Sequence, residues 1–249
     1  MTSAFKEKLT RGERLMGTVV TLPVPEIAEI LRLAGFDWLF VDMEHGAMDV
    51  REAQMVLAAA GDTPCVVRVP ANDAVWIKKC LDIGAAGIMV PLIRTAGDAR
   101  DAVRWCKYPP EGERSVGIAR AQGYGMSFTQ YVSRANAEIA LILQIEHIDA
   151  VNDLEAIVAV AGIDALFVGP FDLSASMGKT GRISDPAVQA AIARVTRCAQ
   201  GAGIALGIFS ATAEAVAPHL ENGYTLAAVG MDTMILGHGV AEILKALGR

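Results

Sequence analysis

Eight short apolar runs, each followed by a segment of helical character, constrain this chain more than any other feature. The runs are 16–22 (MGTVVTL), 38–44 (WLFVDME), 65–70 (CVVRVP), 87–92 (GIMVPL), 140–146 (ALILQIE), 165–169 (ALFVG), 204–209 (IALGIF) and 226–230 (LAAVG). They are nearly continuous in aliphatic residues, as strands buried on both faces of a helix-covered parallel sheet must be. Helical segments follow at 25–35, 73–84, 149–162 and 186–203, and Gly35, Gly84 and Gly162 stand where left-handed helix caps belong. Eight such units in 249 residues predict one domain spanning 1–249, a (β/α)8 TIM barrel. An open doubly wound sheet is the rival, but no GxGxxG turn follows the first strand. The stretch 105–138 reads as the longest irregular segment, expected to be a functional loop or an interface element.

The remaining composition excludes whole classes. A net charge of −6 with no basic run argues against a nucleic-acid partner. No apolar stretch reaches the roughly 18 residues of a membrane span, and the N-terminal stretch lacks an apolar signal region. Cys65, Cys80, Cys106 and Cys198 are scattered without a CxxC pair, so a reducing, cytoplasmic setting is expected instead of a disulfide framework.

A barrel gathers its reactive groups at the C-terminal ends of its strands. Asp42, Glu44 and His45 close the second run, Arg68 the third and Glu146 the fifth, and Asp172 follows the sixth. Gln144 and Glu146 share one strand face, so a carboxylate is aimed inward and needs a positive partner. Glu146 and Asp172 lie about one strand–helix unit apart, and two carboxylates with water and substrate oxygens suit Mg2+ or Mn2+. The same pair also fits a helix cap and a structural ion pair. Arg68 can bind a carboxylate or enolate with its fork, or simply pair with Glu44. His45 is a candidate acid–base group oriented by Asp42 or Asp82, or a merely hydrogen-bonded histidine. Around Gly169, Pro170, Phe171 and Asp172, small residues let backbone approach a ligand, though an ordinary strand-to-helix turn has the same look. His147 reads as structural.

Taken together, "AGFDWLFVDMEHG", "VVRVP", "KYPPEGERSVG", "LQIEHIDAVNDLEAI", "DALFVGPFDLSASMG" and "AAVGMDTMIL" resemble the metal-dependent class II pyruvate aldolases of the HpcH/HpaI type over nearly the whole chain. The resemblance implies a lyase that cleaves or forms the C3–C4 bond of 4-hydroxy-2-oxo acids, with pyruvate (or another 2-oxo acid) and an aldehyde as partners. It implies one divalent metal ion (Mg2+, Mn2+ or Co2+) on Glu146 and Asp172, and no organic cofactor. Arg68 falls on the pyruvate-binding arginine, His45 on the acid–base histidine, and Asp42 and Asp82 on acids associated with it. Gln144 is added to the substrate-binding set, and Gly169 to Asp172 match the turn that receives the pyruvate carboxylate. The resemblance also implies a homohexamer; the apolar segment 233–247 suits packing on a neighbouring subunit, and its periodicity equally suits a final helix that covers its own barrel. Three positions depart from the common pattern: Val19 where tryptophan is frequent, Phe171 where a small residue is frequent, and Ser115 in place of a glycine. These departures concern the aldehyde side of the site. A barrel lyase acting on a CoA thioester and a non-catalytic 2-oxo-acid sensor are the alternatives.

Overall fold

The computed structural model describes residues 3–249, and its eight parallel strands close into a barrel in chain order. They are β1 (Leu15–Val20), β2 (Trp38–Asp42), β3 (Cys65–Arg68), β4 (Gly87–Val90), β5 (Ala140–Ile145), β6 (Ala165–Val168), β7 (Ala205–Ser210) and β8 (Leu226–Met231). Every strand matches one of the runs expected from the sequence. The strands are shorter than the runs at their C-terminal ends in six cases, because residues such as Met43, Glu44 and Glu146 already belong to the loops of the barrel mouth.

Period-two alternation divides the core in two. Leu141, Leu143 and Ile145 of β5 face the helical shell, while Ala140 and Ile142 fill the barrel with Val19, Trp38, Phe40, Val66, Met89 and Phe167. Aromatic rings bridge the interior: Trp38 stacks on Phe40 at 6.0 Å, and Phe40 meets Phe167 edge-on at 5.7 Å. Gly17 makes room for this stack, since a β-carbon there would lie 2.6 Å from the Trp38 ring and carbonyl oxygen. Trp38 donates its indole N–H to the Leu15 carbonyl.

Several local features differ from the sequence expectation. A helix at Ser3–Thr10 sends Phe5 and Leu9 into the barrel interior, with Phe5 against Trp38 at 6.1 Å. The segment 105–138 is not irregular throughout: its last third is the helix Phe128–Glu138, preceded by a short turn of 3-10 helix at Arg120–Gly125. The expected helix at 149–162 is two short helices, Ile148–Asn152 and Leu154–Val158. Gly35, Gly84 and Gly162 all take positive φ, as expected of cap positions. Among the described residues, no helix is long and apolar enough to cross a membrane.

Phe5 is 1% exposed although it lies near the start of the chain. Phe5→Ala should cost about 3–5 kcal/mol, the usual loss for a buried aromatic. Urea denaturation checks this, and a loss below about 1 kcal/mol would make the N-terminal helix an ornament of the barrel instead of part of its core.

Candidate active site

At the C-terminal ends of β1–β3 and β5–β8, a cavity of about 390 Å³ opens between the strands. Its polar arc comes from β2, β3 and β5, which present Asp42, Arg68 and Gln144, with His45 at the rim. Its apolar arc comes from β6, β7, β8 and β1, which present Phe167, Phe209, Met231 and Val19. A larger cleft of about 560 Å³ lies between the helices Pro186–Ala202 and Ala213–Glu221, in the outer helical layer and away from the strand ends.

Arg68 organises the polar arc. Asp42 and Arg68 stand opposite each other in the β2–β3 register, so both point inward from adjacent strands. Arg68 donates from Nε to Asp42 Oδ1 at 2.9 Å and from Nη2 to Oδ2 at 2.7 Å, a two-pronged pair. Its Nη1 donates to Gln144 Oε1 at 3.4 Å, and its guanidinium carbon lies 5.1 Å above the Phe40 ring. Burial acts to lower the Arg68 pKa, but the Asp42 bond and the charges of Asp42, Glu44 and Glu146 outweigh it and raise it. The guanidinium is therefore a permanent cation with its orientation already set. Asp42 Oδ1 also accepts the backbone N–H groups of Glu44 and His45, at 3.0 and 3.3 Å. Gly46 closes this turn where a β-carbon would strike the Asp42 carbonyl oxygen.

Negative charge exceeds the cations beside it. Glu44 Oε2 lies 3.2 Å from Arg68 Nε, yet that N–H is aimed at Asp42, and the buried Glu44 oxygen has no donor among the described residues. Burial first, then the charges of Asp42 and Asp172, push the Glu44 carboxyl up against the pull of Arg68 and His45. Glu146 is 3% exposed, and its carboxyl is raised to about 7. Burial is the main cause, and Glu44 and Asp172 add to it, while the Leu92 N–H and Arg68 oppose it. Leu92 donates its backbone N–H to Glu146 Oε1 at 2.8 Å, and Gln144 Nε2 donates to Oε2.

The remaining candidate residues occupy distinct places. Gly169, Pro170, Phe171 and Asp172 all line the cavity, with the helix Pro170–Ser176 starting at its rim. A β-carbon on Gly169 would come within 2.9 Å of Glu146, so only glycine lets this backbone pass over the carboxylate. His45 has a 68% exposed side chain, and its Nε2 is 4.0 Å from Glu44 Oε2. Asp82 is not among the cavity-lining residues of its own chain; its carboxylate accepts from Arg114 Nη2 at 2.7 Å. His147 caps the helix Ile148–Asn152 by accepting the Asp149 N–H. Among the described residues, no three or more His, Cys, Asp or Glu side chains converge as a metal cage.

Three contributors escaped the sequence reading. Leu92 acts through its backbone, in a left-handed conformation with φ 53°, which no composition signal announces. Asp232 accepts from Thr21 N, Thr21 Oγ1 and Leu22 N at 2.7–2.8 Å and so ties the end of β8 to the end of β1. The apolar arc is visible only as inward positions of alternating strands.

Fold and site together define a (β/α)8 barrel enzyme with an anion-rich pocket around one oriented guanidinium. The chain belongs to the HpcH/HpaI aldolase/citrate lyase family, whose sequence pattern matches residues 17–239. It is 40% identical to a hydroxypyruvate/pyruvate aldolase of Roseobacter denitrificans over 98% of this chain and 96% of that protein. It is 41% identical to a 4-hydroxy-2-oxo-heptane-1,7-dioate aldolase of Salmonella arizonae, covering 99% of this chain and 94% of the other. The crystal structure of an HpcH/HpaI aldolase/citrate lyase family protein from Burkholderia cenocepacia superposes with a TM-score of 0.95 at 38% identity, covering 99% of this chain and all of that one.

The Glu146 shift carries a stability prediction. A carboxyl raised from 4.5 to about 7 binds its proton more tightly in the folded protein. Its stabilising contribution is therefore present below pH 4.5 and lost as the pH rises through about 7. Metal-free Glu146→Gln should be more stable than the parent at pH 8, by on the order of 2 kcal/mol. The difference should vanish near pH 4.5. A gap independent of pH in thermal melts would mean that the buried charge is not its source.

Proposed function

We infer that the protein is an aldolase, a carbon–carbon lyase that cleaves 4-hydroxy-2-oxo acids between C3 and C4 into pyruvate and an aldehyde and joins them in reverse. The observation that carries this reading is the surplus of carboxylates over cations: Asp42, Glu44 and Glu146 act on the single Arg68 guanidinium, and the charge of Asp172 adds to that of Glu44 and Glu146. The names of the relatives supply the reaction class.

Glu146 and Asp172 would hold a divalent cation, Mg2+, Mn2+ or Co2+. Their oxygens suit a hard ion, and the upward-shifted carboxyls and donorless Glu44 oxygen mark a pocket with uncompensated negative charge. When bound, such an ion supplies Lewis acidity that favours enolate formation from the 2-oxo acid. Two protein ligands leave room for substrate and water oxygens.

The chain's own residues do the rest. Arg68 is held by Asp42 and Gln144 and stabilises the oxyanion that develops on C2. The turn Gly169–Asp172 receives the substrate carboxylate against backbone. His45, free to swing at the rim, takes the proton of the 4-hydroxyl. The electrons of the C3–C4 bond then pass into the C2 carbonyl, the aldehyde departs, and C3 is protonated to give pyruvate. Asp42 fixes the backbone on which His45 stands. Asp82 enters as a second acid serving His45 through the family resemblance alone, since Arg114 takes up its carboxylate within one chain.

Association belongs to the same proposal. The helix Asp232–Ala246 buries only Asp232 and exposes Ile235, Leu236, Val240, Ile243 and Leu244. Such a face suits a neighbouring copy, and a closed hexamer is the form that the family resemblance implies. Four free thiols, three of them buried, suit the cytoplasm.

Chelation tests the reaction: EDTA should abolish cleavage, and Mg2+, Mn2+ or Co2+ should restore it. Full turnover by metal-free protein would overturn the reading. Arg68→Lys keeps a charge but loses the fork, so kcat/KM should fall by about 100-fold or more. Unchanged kinetics would make Arg68 structural. Truncation before Thr233 should convert the assembly to smaller species in light scattering, whereas an active parent monomer at assay concentration would exclude the oligomer.

A further inference from the structure

The cavity is divided by polarity, and the division bears on which aldehyde it accepts. On the β6–β7–β8–β1 side the walls are Phe167, Phe209, Met231 and Val19, with Phe171 at the rim. Thr21 follows β1 in the lining of the cavity, and its hydroxyl already donates to Asp232 at 2.7 Å. Among the lining residues Arg68 is the single Lys or Arg, and its Nε and Nη2 are committed to Asp42. The one arginine of the lining therefore sits on the 2-oxo-acid side. On the opposite side, away from the turn Gly169–Asp172, a second anionic group would find the Phe209 ring, the Met231 thioether and Val19.

We propose that the aldehyde half-site, walled by Val19, Phe209 and Met231, selects uncharged aldehydes with an apolar tail over aldehydes that end in a carboxylate, phosphate or sulfonate. The proposal rests on the aldolase reading of the same site and adds the chemical class of its second substrate. The physical basis is desolvation. An alkyl or aryl tail gains by leaving water for this wall, whereas an ionised group leaves water without a partner. The discrimination is thus exerted against the charged competitor more than in favour of the neutral one. The relative of Salmonella arizonae is named for a dioate, whose cleavage between C3 and C4 releases an aldehyde with a terminal carboxylate, so the proposed preference would set the two proteins apart. Val19 is 3% exposed and packs tightly, whereas Met231 and Phe209 are half-buried and can adjust to tails of different width.

Two four-carbon aldehydes isolate the charge, because butanal and 4-oxobutanoate differ in a terminal methyl against a terminal carboxylate. Both are offered together to the full-length protein with pyruvate and Mn2+, and the products are resolved by mass. Exchange of the pyruvate methyl protons in deuterium oxide is followed separately, without aldehyde, as a readout of the pyruvate half alone. The expected result is exchange, with kcat/KM for butanal exceeding that for 4-oxobutanoate by about 100-fold or more. Met231→Lys, which brings an ammonium to the apolar wall, should move this ratio toward the acid by at least about tenfold. Phe209→Leu, which keeps the wall apolar, should leave the ratio in favour of butanal. Exchange accompanied by equal use of the two aldehydes, or by preference for the acid, overturns the proposal while the aldolase reading stands. Absence of both exchange and turnover removes the aldolase reading, and the proposal with it.

Discussion

Arg68 and Asp42 form the interaction on which the mouth of the barrel depends. Their side chains leave adjacent strands at the same level, and the two-pronged contact holds the guanidinium at a fixed angle above the Phe40 ring. Both partners are withdrawn from water, so neither is tolerable without the other: loss of one side of a buried pair typically costs about 3–5 kcal/mol. This mutual dependence positions a cation in the pocket before substrate arrives, so little reorganisation remains for the reaction. Asp42 extends the same hold to the loop after β2, because its Oδ1 also accepts the amides of Glu44 and His45.

Glu146 shows the opposite balance. Its environment disfavours its charge, through burial and through Glu44 and Asp172. The fold nevertheless prepares that charge. Leu92 adopts a left-handed backbone, at a cost of about 1–3 kcal/mol, and its amide reaches the carboxylate. Gln144 supplies a second donor, and Gly169 gives up a side chain so that the backbone can pass. Strain, burial and like charge collected at one residue are the usual mark of a position kept for chemistry at some expense to stability. The apolar arc across the cavity is the complementary half, a surface with nothing to offer an ion.

Much of this was legible in the sequence for identifiable reasons. The eight strands announced themselves because both faces of a barrel strand are buried, which leaves aliphatic runs that helices interrupt at regular intervals. Asp42, Arg68, Glu146 and Asp172 stood out because charge at or just after the end of such a run must find a partner or a use. The helix Ser3–Thr10 was missed because Phe5 and Leu9 are too few to set a period, and their burial comes from the hollow beneath Trp38. The helix Phe128–Glu138 was missed because its polar residues outnumber its apolar ones and only Ala135 is buried.

By itself the sequence determined the number of strands, their order, the side on which reactive groups gather and the family to which the chain belongs. Those properties are local patterns or ordered combinations of motifs, and each can be read along one dimension. Only the tertiary structure decided how the charges are shared. Asp42 was expected to serve the His45 ring, but its carboxylate engages the Arg68 fork and two loop amides. Asp82 is taken up by Arg114, Glu44 is left with an oxygen that has no donor among the described residues, and Leu92 becomes a ligand of Glu146 through its backbone. The reason is that hydrogen bonds and ion pairs are settled by angles and distances of a few tenths of an ångström between residues far apart in the chain. Sequence names the competing partners, whereas packing alone selects among them.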